Sequence, residues 1–136
     1  MQEDKDQEFI RMVADHMENG FLENIVDMFI HDVSLYSILP ELISDERLVV
    51  RIGTTALLET LLEKDAENVR HAVPALLPLL KSGEPNVRGD TVSILGQISD
   101  RDLTKEITPL LSDKNSNVRM LAEDALQELK DRIKDH

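Results

Sequence analysis

Apolar residues recur three and four positions apart along most of this chain, and no run of β-branched residues alternates with polar ones. The first pattern winds onto one face of a helix; the lack of the second predicts no sheet. Val50, Thr54, Leu57, Leu58 and Leu61 form one such stripe, expected to be buried. Val69, Val73, Leu76, Leu77 and Leu80 form another, and Leu103, Ile107, Leu110 and Leu111 a third. The last two include Pro78 and Pro109, each expected to bend its helix without preventing it. Nearer the start, Asn19 and Gly20 are expected to stop a first helix, and the stretch "FLENIVDMFI" to begin a second.

The stripes repeat. With Val50-Arg51, Val87-Arg88 and Val118-Arg119 set in one column, Leu58, Leu95 and Leu126 fall together, and so do Leu61, Ile98 and Leu129. Leu57, Ile94 and Ala125 make a further column. Ahead of the arginines stand the pairs Leu42-Ile43, Leu79-Leu80 and Leu110-Leu111, closely preceded by Pro40, Pro78 and Pro109. Several independent columns in agreement mark an internal repeat of two helices per unit. Pro85 suits the first turn of one second helix, and Asn115 or Ser116 an N-cap of another. The tripeptide Asn-Val-Arg occurs at Asn86 and Asn117 in register with these columns; the copy at Asn68 falls in the other half of a unit and reads as coincidence.

These columns resemble HEAT repeats, including the short HEAT-like type of phycobilisome lyase subunits. Pro40, Asp45, Val50 and Arg51 carry the resemblance in one unit, Pro78, Val87 and Arg88 in the next, and Pro109, Asp113, Val118 and Arg119 in the last. It implies an all-α fold, a right-handed α-solenoid of HEAT-like hairpins with about seven to eight helices. One domain is expected over 1–136, with an N-terminal hairpin or cap at 1–32 and three repeats over 33–134. The resemblance also implies a structural ladder between neighbouring units, built from Asp45, Arg51, Arg88, Asp113 and Arg119. Ser82 stands where the middle unit would place its Asp.

Composition narrows the chemistry. The 136 residues have 3% aromatics and no Trp, so the core must be aliphatic. All three Phe (Phe9, Phe21, Phe29) lie in the N-terminal segment, whose apolar positions cover more than one face. Core packing is the stronger reading of that segment; the other is an interface, with a homo-oligomer assembled through residues 1–34. The net charge is −12, of which −7 falls in residues 1–34. Such a surface repels phosphate backbones, so no nucleic-acid ligand is expected; a protein partner with a basic surface is easier to accommodate, and a solvated acidic surface that merely keeps the protein in solution is the stronger of these two readings. No stretch approaches the roughly 20 apolar residues of a membrane span, and the polar start "MQEDKDQE" is unlike a signal or transit peptide, which leads to the cytoplasm as the expected location.

With no Cys there is no thiolate site or thiol nucleophile. His16, His31, His71 and His136 show no paired metal spacing, and His16 is expected in the core beside Phe9 and Val13. Asp113, Asn115 and Asn117 mimic the start of a calcium loop, but Val118 replaces the required Gly and Asp124 the bidentate Glu, so a helix-start turn is the better reading. No phosphate loop or nucleophile elbow appears. The expectation is therefore a non-enzyme with no metal and no cofactor: a protein-interaction module or adaptor. An auxiliary subunit of a bilin or chromophore lyase is an alternative that only the resemblance suggests.

In HEAT-like stacks the exposed faces of the second helices line the concave side. The positions one, four, five and eight after each Arg fall there. They give a partner-binding set of Ile52, Thr55 and Glu59, then Gly89, Val92 and Gly96, then Met120, Glu123, Asp124 and Gln127. Two glycines inside one helix cost up to about 1 kcal/mol each relative to Ala. Either a partner helix approaches closely at Gly89 and Gly96, or these glycines let neighbouring helices of the chain pack tightly.

Overall fold

The computed structural model describes residues 2–134, with side chains from Asp6 to Ile133. Among the described residues there are nine α-helices and three 3₁₀ segments, and no strand. The chain divides into two compact units, one up to Asn68 and the other from Val69.

In the first unit, α1 (Gln2–Glu18) and α2 (Leu22–His31) form a hairpin. Gly20, at φ +87°, closes α1: its N–H donates to Met17 O and that of Phe21 to His16 O, so the last carbonyls of the helix are satisfied. The 3₁₀ segment Val33–Ile38 and α3 (Leu39–Ile43) follow, then α4 (Leu48–Lys64). Both hairpin helices pack on α4 and bury Val13, Ala14, Met17, Ile25, Val26 and Phe29, so core packing holds for most of that segment. Phe21 and His16 depart from it. Both are exposed and lean on each other, ring centres 5.4 Å apart, so His16 is not the core residue its helical position suggests. The buried face of α1 runs through Val13, Ala14 and Met17, and His16 falls beside it.

In the second unit, α6 (Val73–Leu76), the 3₁₀ segment Leu77–Lys81 and α7 (Pro85–Ile98) make one helix pair. The next is α8 (Thr104–Ile107), the 3₁₀ segment Thr108–Ser112 and α9 (Ser116–Lys134). α5 (Ala66–His71) spans the division between the units.

The prolines do more than bend the first helices. Pro40, Pro74, Pro78 and Pro109 each sit at the second residue of a new short segment, where a missing N–H costs nothing. What sequence periodicity reads as one rod is thus broken into α and 3₁₀ pieces, and the described residues hold nine α-helices where about seven to eight were expected. The tighter 3₁₀ winding also turns Leu111 outward from its expected stripe and leaves Leu77 half-buried. The unbroken second helices keep their faces: Val50, Thr54, Leu57, Leu58 and Leu61 are all buried.

Candidate functional site

Each second helix is tied to the turn before it by its arginine. The Nη1 groups of Arg51, Arg88 and Arg119 donate to the carbonyl oxygens of Asp45, Ser82 and Asp113 at 2.7, 2.8 and 2.6 Å. The six-residue spacing therefore works through a backbone acceptor, which Ser82 supplies as well as Asp does. A carboxylate is used differently. Asp113 accepts Nε and Nη2 of Arg88, from the preceding repeat, at 2.8 and 2.9 Å. This forked ion pair holds the Asp113 carboxyl below the usual carboxylate range, helped by the Asn115 N–H, and raises the Arg88 guanidinium.

At Asp45 the fork comes from its own turn. Arg47 supplies it, bonding Asp45 through Nε and Nη2 at 3.0 and 3.1 Å and reaching Asp15 of α1 at 2.8 Å. Asp45 is lowered and Arg47 raised accordingly, in each case chiefly by the hydrogen bond to the other. The turn before α9 is the helix start expected from sequence: Asn115 Oδ1 caps the N–H groups of Asn117 and Val118. At the out-of-register copy, Asn68 instead donates to Asp65, which also accepts Tyr36 Oη at 2.8 Å.

The expected partner-binding set does not form one kind of surface. On α4, Ile52 and Glu59 are exposed and Thr55 is half-buried. On α9, Met120, Glu123, Asp124 and Gln127 are exposed, opposite the buried Val118, Ala122, Ala125 and Leu129. Gly89, Val92 and Gly96 are buried, which removes them from any open groove. A Cβ on Gly96 would stand 2.8 Å from Ala125 Cβ and 2.9 Å from its Cα; one on Gly89 would meet Leu121 Cδ1 at 3.0 Å. At Gly96 the close approach is to the backbone of α9, which fits tight packing of α7 on α9, the second of the two readings the sequence left open; at Gly89 it is to a side-chain end alone.

Sequence reasoning missed Leu48 and Val49. They are 60% and 47% exposed, and with Ile52, at 59%, they cover adjoining positions on the first two turns of α4. Thr55 and Glu59 continue that face, and Glu63 follows, exposed. A signal was present: in the other repeats these two positions are Pro85-Asn86 and Ser116-Asn117, residues that start helices, whereas here they are bulky and aliphatic. In the run Leu48-Val49-Val50, only Val50 belongs to the buried stripe.

No group of three or more His, Asp or Glu among the described residues is placed to hold a metal ion, and no helix there is long and apolar enough to cross a membrane. A family model described as HEAT repeats matches residues 73–135. Neither a curated protein nor a solved structure matches the chain.

Proposed function

We propose that this chain, a HEAT-repeat protein over residues 73–135, is a non-enzymatic interaction module that holds a basic, amphipathic segment of a partner protein on the exposed face of α4. HEAT repeats generally mediate protein–protein interaction. The observation that carries the reading is the adjoining exposure of Leu48, Val49 and Ile52. Solvent-facing helix positions are ordinarily polar, and three large aliphatics in two turns are a cost that a partner's burial of them would reverse at roughly 25 cal/mol per Å².

Charge decides the sign of the partner. The first unit holds 16 acidic and 5 basic residues, a net of −11, against −1 for the second. Glu59 and Glu63 lie further along the face that begins with Leu48. A helix with leucine-like side chains at one end and lysine or arginine at the other complements that order. On α9, Met120, Glu123, Asp124 and Gln127 are a secondary acidic surface in the same reading; Gly89, Val92 and Gly96 have no part in it.

The test is comparative capture from native lysate with tagged wild-type protein and the Leu48→Ser/Ile52→Ser variant, washed at rising salt. A basic protein held by wild type, released by salt and reduced about tenfold or more in the variant, is the expected result. Equal capture by both baits, while the variant melts like wild type, would overturn the assignment of the face. Recovery of only an untagged copy of this chain would replace the reading with self-assembly.

A further inference from the structure

The second unit has a cleft of about 660 Å³ between the first-helix segments of its two repeats, lined by Pro74, Leu77, Pro78 and Pro109 with the buried Leu80 and Leu110. Proline rings make a stiff apolar wall with no N–H to donate. Two lysines, Lys81 and Lys105, stand at its edge with one acid, Glu106. Lys81 also borders the neighbouring cleft of about 670 Å³, where Lys114 joins it and the Asp113 carboxylate is already engaged by Arg88. The local excess of cations is notable on a chain of net −12, and it falls on the unit whose own net charge is only −1. Within a screening length of about 8 Å in physiological salt, the charges that line the cleft itself count for most.

We infer that this cleft is a second docking surface, for an acidic partner segment in which a bulky apolar side chain is flanked by carboxylates. The apolar residue lies on the prolines and Leu77, and the carboxylates meet Lys81 and Lys105. The inference is independent of the α4 reading: it concerns other residues, the opposite charge and a different partner chemistry.

The probe is a labelled peptide with a Leu-Trp-Leu core between glutamates, titrated into the full ¹⁵N-labelled chain and followed by amide chemical shifts. The control is the same core between lysines. The glutamate peptide is expected to shift amides at Leu77, Lys81, Lys105 and Leu110, and the lysine peptide to leave them in place. Lys81→Glu/Lys105→Glu alters two exposed side chains and should weaken binding about tenfold with an unchanged melt, whereas Lys130→Glu on α9 should not. No shifts, shifts confined to α4, or equal response to both peptides would overturn the inference. So would concentration-dependent shifts at the cleft without peptide, which would make the occupant a second copy.

Discussion

Thr54 and Thr91 occupy the same place in successive repeats, three residues after the anchoring arginine, and both are fully buried. Thr54 Oγ1 donates to Val50 O at 2.8 Å; the hydroxyl of Thr91 has no hydrogen-bond partner. A buried, unsatisfied hydroxyl costs on the order of 1–3 kcal/mol, so Thr91→Val should stabilise the protein by about 1 kcal/mol. Thr54→Val should gain nothing comparable, because it gives up a satisfied bond. Urea denaturation of the two variants checks the difference. The glycines of α7 divide in a similar way. Gly96→Ala gains up to about 1 kcal/mol of helix propensity but drives a Cβ against the Ala125 backbone, an overpacking cost of about 1–3 kcal/mol. Net destabilisation is expected. At Gly89 the obstructing atom is the end of the Leu121 side chain, which can turn aside, so Gly89→Ala should be near neutral in the same melts.

Helix pairs α6–α7 and α8–α9 are joined by the Arg88–Asp113 fork, and its behaviour with pH follows from the lowered Asp113 carboxyl. A folded-state pKa below the unfolded value means that the pair's stabilisation is present above the ordinary carboxylate value of about 3.9 and is lost as pH falls through the lowered one. Asp113→Asn should therefore melt below wild type at neutral pH, and the gap should close as the solution is acidified toward that lower pKa. Thermal melts across the acid range measure it. The second helices were legible in sequence because an uninterrupted α-helix preserves the period that a stripe encodes. The first helices were less so: the prolines that mark the repeat also restart the chain in 3₁₀ turns, and the period of Leu103, Ile107, Leu110 and Leu111 fails at Leu111. Of the arginines expected to link neighbouring units, Arg88 bonds the next repeat, whereas the hydrogen bonds described for Arg51 and Arg119 go to the turn before their own helix. Spacing alone cannot tell whether Arg88 bonds a side chain or the carbonyl of Ser82; it does the second, and also forks onto Asp113 of the next repeat. For the glycine row, periodicity places Gly89, Val92 and Gly96 opposite the main stripe, but α7 is packed on both sides, so that opposite face is buried as well.

Across the whole molecule, charge is divided as the contacts are. The first unit carries −11 and exposes Leu48, Val49 and Ile52; the second carries −1 and a lysine-edged apolar cleft. In the reading proposed above, the two surfaces take partners of opposite charge. The central claim is that α4 is a contact face. A photoreactive benzoylphenylalanine placed at Ile52 and, in separate variants, at Met120 and Ala75 tests it in the native cell. The account predicts that position 52 crosslinks to a basic protein, and that the crosslink disappears when Leu48→Ser is added. Crosslinks from position 120 or 75 alone, or none from position 52 in a protein that melts normally, would contradict it.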